Sequence, residues 1–175
     1  QFAVCVSAFV ANEVRKANPD ITLSIIGNCI SPLWKKHSLP KKRDIDILYV
    51  GKLMPYKGVD VLLRALAILL RDRIYRVVIV GEGLGERYAN LAIKLGIAQN
   101  ITFTGPLSHA HIPTYYVRSK VVVSPSIWPE PCGRSIIEAM WMGCAVVATN
   151  VGGTPESLID GSHGYLVPPS APKAI

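Results

Sequence analysis

No apolar run among the 175 residues approaches the roughly 18 that a membrane-crossing helix needs. The four cysteines, Cys5, Cys29, Cys132 and Cys144, are far apart and form no CxxC pair. That usage matches a reduced intracellular protein and not a disulfide-stapled secreted one. "FAVCVSAFVA" has neither a basic start nor a cleavage site, so it does not read as a signal peptide. Ser124, Ser126 and Ser135 lack a G-x-S-x-G elbow, which leaves a hydrolase triad without support. His109 and His111 have no carboxylate or cysteine beside them in their loop, so no zinc site is expected. There is no internal repeat.

Half of the residues are hydrophobic and 18% are charged, which provides for a substantial core and excludes disorder. The length suits one domain with a fragment of another. With no initiator Met, and with "PSAPKAI" stopping where a helix would start, the chain is expected to be a piece of a longer polypeptide. The formal charge is +7, and Lys35, Lys36, Lys41, Lys42 and Arg43 cluster in "WKKHSLPKKR". That segment is either a solvated linker or a patch attracted to anionic lipid headgroups or a phosphorylated substrate. No aromatic residues interleave with a basic groove, so nucleic acid is not an expected partner.

From residue 45 onward, short Val- and Ile-rich runs alternate with helical patterns. "IDILYVG", "YRVVIVG", "NITFTG", "KVVVSPS", "CAVVATN" and "GYLVP" read as strands. "VDVLLRALAILLRD", "GERYANLAIKLG" and the stretch opening at Gly133 read as helices, and "TPESLID" as one or two helical turns. "SHAHIPTYYVRS" reads as a helix interrupted by Pro113. The pattern predicts an α/β fold: a Rossmann-like doubly wound parallel sheet of about six strands, covered on both faces. Residues 1–40 read differently, as a helix, a strand and the basic linker. They are expected to be the tail of a preceding domain, with residues 41–175 forming the Rossmann-like one.

Doubly wound sheets bind ligands beyond the carboxyl ends of their strands, and the unusual loops all fall there. In "GKLMPYKG", Lys52 and Lys57 flank a turn after Gly51, a placement that suits a diphosphate or merely two exposed loop lysines. "VGEGLGERYANL" has glycines at 81, 83 and 85, which breaks the G-x-G-x-x-G spacing, and Glu82 and Glu86 would repel a pyrophosphate. A nicotinamide enzyme is therefore disfavoured; Gly81 and Gly83 allow a tight turn or a close approach to a ligand. Asp44 and Asp46 mimic an Asp-x-Asp metal motif but fall at the amino end of the first strand, opposite the site edge.

"SIWPEPCGRSIIEAMWMG" carries the strongest signal. A helix opening at Gly133 exposes the amides of Gly133, Arg134 and Ser135, which attract anions, and a Cβ at 133 would hinder their approach. Five residues at ~1.5 Å rise put Glu138 about 7 Å along that helix, while Glu130 sits in the preceding loop. Two carboxylates flanking a diphosphate site could hold the hexose and the ribose of a sugar nucleotide. The competing reading is one surface glutamate and one buried glutamate satisfied by its neighbours.

These segments, with "NVGGTPE" and "DGSHGYLVP", resemble the retaining glycosyltransferases of family 4 over roughly residues 45–169. The resemblance implies the C-terminal, donor-binding half of a GT-B fold. It implies transfer of a hexose from a nucleoside-diphosphate sugar with retention, no metal, and no cofactor beyond the donor. It assigns Glu130 to the transferred sugar, Glu138 to the ribose, and Lys52 and Lys57 to the diphosphate, with Gly51 and the amides of 133–135 beside them. Lys52 stands where the family usually has Arg, which keeps the charge and loses the bidentate fork. The base is expected near Pro106 and Leu107. The acceptor, a sugar or a lipid-linked glycan, would be bound by the preceding domain, and the isolated fragment is expected to be inactive. A cytoplasmic enzyme, peripheral at an anionic inner membrane face, is the expected setting. The alternative is a non-catalytic nucleotide-sugar-binding subunit acting with a separate acceptor-binding partner.

Overall fold

The computed structural model describes residues 1–32, 34 and 42–175. Strands β3 (Ile45–Val50), β4 (Val77–Val80), β5 (Ile101–Gly105), β6 (Ser119–Ser124), β7 (Ala145–Thr149) and β8 (Tyr165–Val167) form a six-stranded sheet. Every pairing in it is parallel, and the order is β5-β4-β3-β6-β7-β8. Counted from β3 this is the 3-2-1-4-5-6 order of the doubly wound fold, with the strand direction of travel reversing between β3 and β6.

The Val and Ile runs are explained by burial on both faces. Helices α2 (Val59–Leu69) and α3 (Gly85–Lys94) pack Leu62, Leu66, Tyr88 and Ala92 against Ile47, Val77 and Ile79 on one side. Helices α4 (Ile112–Arg118) and α5 (Arg134–Trp141) pack Tyr116, Ile136 and Ala139 against Leu48, Val122 and Val146 on the other. Leu48, Leu62, Val77, Ile79, Val122 and Ile136 have no exposed surface, and each such aliphatic side chain contributes about 1.5–3 kcal/mol relative to leaving it in water. Gly96 follows α3 in the left-handed conformation, as its position after the helical pattern predicts.

Two elements differ from expectation. Pro113 does not interrupt a helix; α4 begins at Ile112, so the proline lies in its first turn, where no intrahelical amide is required. Residues 2–5 form a strand, β1 (Phe2–Cys5), that the sequence did not announce. It pairs in parallel with β2 (Thr22–Ile25) across α1 (Ala8–Ala17), making a separate two-stranded sheet. Phe2 and Val4 stay 63% and 55% exposed, so the alternation that marks a half-buried strand is weak. Among the described residues no helix is long and apolar enough to cross a membrane.

A carboxylate ties the small sheet to the large one. Ser7 caps α1 by accepting from the Val10 amide at 3.2 Å, and Glu156, from α6 (Thr154–Ser157), accepts from the Ala8 and Phe9 amides at 2.7 Å each. A carboxylate at a helix N-terminus satisfies orphan donors and complements the helix dipole. At the opposite, amino edge of the sheet, Asp44 accepts from Arg118 Nε and Nη2 at 2.8 and 2.6 Å and from Arg76 Nη1 at 3.2 Å. Asp46 accepts from Lys120 Nζ at 2.6 Å and from the Arg76 amide at 2.8 Å.

The Arg118 fork holds the Asp44 carboxyl at about 2, below its ordinary 3.8. A depressed carboxyl stabilises the fold above its unfolded value and loses that effect as pH falls through the folded one. Asp44→Asn should therefore lower the melting temperature at neutral pH, with the deficit closing between about pH 4 and pH 2. A deficit that stays constant over that interval, in thermal melts at stepped pH, would show that the ion pair is not its source.

Candidate functional site

A cleft of about 590 Å³ opens beyond the carboxyl ends of β3 and β6 and is lined by Gly51, Lys52, Lys57, Glu130, Gly133, Arg134, Ser135 and Glu138 among others. The two halves of the sheet diverge at this point, so the loops after β3 and β6 part and leave a crevice.

The wall from β3 is held by its neighbour. Gly51 N donates to the Val80 carbonyl at 3.0 Å, Leu53 N to Glu82 at 2.7 Å, and Leu84 N to Leu53 at 2.8 Å. Gly81 and Gly83 have φ of 156° and 121°, and a Cβ on Gly83 would lie 2.7 Å from the Leu53 carbonyl oxygen. These two glycines permit loop-on-loop packing and do not line the cleft. The 3-10 turn Pro55–Lys57 then presents Lys57, whose ammonium lies 2.5 Å from Glu130 Oε1. The two side chains are 25% and 13% exposed, so this pair is shielded from the solvent that weakens surface ion pairs. Lys52 is more open, and its carbonyl is fixed by the Tyr49 hydroxyl at 2.8 Å.

Glu130 sits in a braced loop. Its carbonyl accepts from Gly153 N at 2.7 Å, and Gly152 is left-handed at φ 56° with its missing Cβ only 2.6 Å from the Glu130 amide. The Gly-Gly-x-Pro-Glu segment thus backs the Glu130 loop with its glycines and caps α1 with its glutamate.

Helix α5 supplies the floor. Gly133 is its N-cap and provides no capping side chain, and it lines the cleft together with Arg134 and Ser135, at the end of the helix where amides lack intrahelical partners. A Cβ at Gly133 would lie 2.5 Å from Ile136 Cδ1, which adds a core-packing reason for the glycine to the one inferred from sequence. Five residues on, Glu138 is 13% exposed at its side chain; its Oε2 accepts from the Tyr116 hydroxyl at 3.0 Å, and Arg134 Nε lies 3.7 Å from Oε1. Burial raises the Glu138 pKa, while the Tyr116 bond and the charge of Arg134 oppose the rise.

Three residues of the site were not legible as such. Tyr116 is wholly buried and reaches Glu138 from α4. His109 lines the cleft, and its Nδ1 accepts from Trp34 Nε1 at 3.1 Å. Trp34 lies in the segment read as linker, yet it is 3% exposed, with its ring 4.9 Å from His109 and 5.7 Å from Tyr116. A lone tryptophan beside a basic run was the available signal. Pro106 is exposed and Leu107 packs on the core; neither lines the cleft, which their segment reaches through His109 and Ile112. Of the basic cluster, Lys35, Lys36 and Lys41 lie outside the described residues, and Arg43 is bound to the Ser119 and Met142 carbonyls. Among the described residues no three His, Cys, Asp or Glu side chains gather as a metal site.

The six-stranded parallel sheet, with helices on both faces and its reversal between β3 and β6, is a Rossmann-like unit matching one half of the GT-B architecture of glycosyltransferase structures. The family model "Glycosyl transferases group 1" matches residues 30–175, and the chain belongs to that family. It is 39% identical over 138 residues to a D-inositol 3-phosphate glycosyltransferase of Streptomyces griseus, covering 73% of this chain and 29% of that one. It is 40% identical over 134 residues to the protein of that name from Mycolicibacterium gilvum, again covering 73% and 29%. A glycosyltransferase structure from Rickettsia africae superimposes with TM-score 0.87 at 27% identity, covering 98% of this chain and 50% of that one. Anabaena Alr3699/HepE in complex with UDP and glucose superimposes with TM-score 0.81 at 25% identity, with the same coverage. The chain thus spans half the length of these structures and less than a third of those curated relatives.

Because the Tyr116 hydroxyl stabilises the charged form of Glu138, Tyr116→Phe should raise the Glu138 pKa. Carbon-detected NMR of the glutamate carboxyls across a pH titration reads this directly. An unchanged or lowered Glu138 midpoint would mean that the 3.0 Å contact has no electrostatic consequence.

Proposed function

We propose that the chain is the donor-binding half of an enzyme that transfers a hexose from a nucleoside-diphosphate sugar, with retention and without a metal. The observation that carries this is the Lys57–Glu130 contact of 2.5 Å in a cleft shared with the open end of α5 and with Glu138. Glu130 holds hydroxyls of the transferred sugar, and Glu138 those of the ribose. Lys57, already beside Glu130, sits where it can bridge the sugar and the diphosphate, with Lys52 as a second charge. The amides of Gly133, Arg134 and Ser135 receive phosphate oxygens. The base lies along the segment that starts at Pro106 and Leu107 and meets the cleft at His109.

Departure of a nucleoside diphosphate concentrates negative charge on the leaving oxygen. Fixed ammonium groups and amides aimed at that charge stabilise the transition state without reorganising. Lys52 and Lys57 act as point charges and not as forks, so orientation of the phosphates falls mainly to the α5 amides. The UDP and glucose of the Anabaena complex support a sugar-nucleotide donor. The inositol-phosphate relatives support a polar cyclic acceptor, and the chain's +7 charge suits a phosphorylated one. The acceptor site is completed by a preceding domain, so the isolated chain binds donor and transfers little or nothing.

A thermal-shift panel of UDP, GDP, ADP and their sugars tests this. At least one should stabilise the chain, with EDTA making no difference. Lys57→Ala and Glu138→Gln should each weaken that ligand roughly tenfold or more, as expected for a lost charge-assisted hydrogen bond. No stabilisation by any nucleoside diphosphate would leave the proposal without support.

A further inference from the structure

The cleft carries an aromatic corner for which the donor reading has no use. Tyr56, in the turn that presents Lys57, and Trp128, in the loop that presents Glu130, lie 6.3 Å apart between ring centroids at 64°. Both line the cleft, yet they are 38% and 54% exposed. Side chains of this size carry a large apolar area, and leaving two of them open at one place forgoes its burial.

The corner is rigid despite its exposure. The Tyr56 carbonyl accepts from the Ile127 amide at 3.0 Å and the Trp128 amide at 3.1 Å, and the Ser126 hydroxyl lies 3.2 Å from it. Ser126 is itself 3% exposed, and its carbonyl takes the Thr149 hydroxyl from β7. Two loops from opposite sides of the switch point are thereby stitched together at the residues that bear the aromatic rings. A surface whose backbone is already ordered loses little further freedom when it binds.

The surroundings select the occupant. Aromatic faces cannot neutralise a phosphate, and the apolar area here is a small corner beside charged Lys57 and Glu130, unlike an acyl-chain groove. An apolar face bordered by an ion pair fits a saturated polyol ring, which turns C–H groups to the aromatic rings and hydroxyls to the ammonium and carboxylate. Trp128 is far more open than Glu130, whose side chain is 13% exposed, so the corner lies outward of the carboxylate assigned to the transferred sugar. Resting on that donor assignment, we propose that Tyr56 and Trp128 form a stacking subsite for the acceptor, a six-membered pyranose or cyclitol ring, on the donor half of the enzyme.

Indole NMR of the [15N]Trp-labelled chain tests it, with Trp128 assigned through Trp128→Phe. UDP is added to saturation, and myo-inositol, glucose, mannose or N-acetylglucosamine is then titrated. At least one ring should shift the Trp128 indole saturably, with an affinity on the order of millimolar, and leave the Trp141 indole still. Tyr56→Ala should weaken that response roughly fivefold to tenfold while the amide spectrum keeps the dispersion of a folded chain. UDP shifts at the Gly133–Ser135 amides with no ring polyol moving Trp128 would overturn the subsite and leave the donor reading intact. A sugar nucleotide that moves Trp128 and abolishes its response to free rings would assign the corner to the donor hexose and overturn the acceptor assignment. Where UDP leaves those amides unmoved, GDP and then ADP take its place; only if none of the three shifts them does the result count against the donor reading, and ring titration of the free chain then decides the subsite.

Discussion

The parallel pairing of β3 with β6 is the constraint on which the rest depends. Ile45, Ile47 and Leu48 pair with Ser119, Val121 and Val122 although some seventy residues separate them in sequence. The intervening chain must therefore run out through β4 and β5 and return over the opposite face. That reversal makes the loops after β3 and β6 diverge, and a cleft follows wherever two loops leave adjacent strands in opposite directions. Lys57 and Glu130, delivered by those two loops, meet at 2.5 Å because the strands beneath them are neighbours.

Around that junction, polar groups are satisfied by elements distant in sequence. Glu138 is shielded yet bonded, because Tyr116 reaches it from α4 and Arg134 sits one turn before it on α5. A buried carboxylate without such partners would be costly, and with them it is held in one orientation. Trp34 bonds His109, receives the Trp141 indole N–H at its carbonyl at 3.3 Å, and packs on Tyr116. Glu156 plays the corresponding part on the other side, where its carboxylate caps α1 while the glycines ahead of it brace Glu130. The loop that carries these glycines and Glu156 thus touches both the small N-terminal sheet and the cleft wall.

The Val and Ile runs from β3 to β8 were readable because strands buried on both faces allow few other residue types, and the helices between them carry a one-sided apolar spacing. Glu130, Gly133 and Glu138 stood out because an acid, a glycine and an acid at that spacing conflict with a simple buried helix. Gly81 and Gly83 were equally visible, but their purpose was not: a glycine marks close approach without saying to what, and here the neighbour is the Leu53 backbone. Pro113 carried a similar ambiguity, because it breaks a helix in the interior and begins one in the first turn.

Local pattern therefore settled the parallel α/β architecture and singled out the candidate edge, acids and lysines, since each depends on periodicity or on residue types within a few positions. Only the folded chain decided which of them meet. It joined Lys57 to Glu130, brought Tyr116 and His109 to Glu138, buried Trp34, and set Tyr56 beside Trp128. The reason is physical: these contacts run through space between segments that share no periodicity, and nothing in the local chain encodes the partner that a sheet crossover delivers.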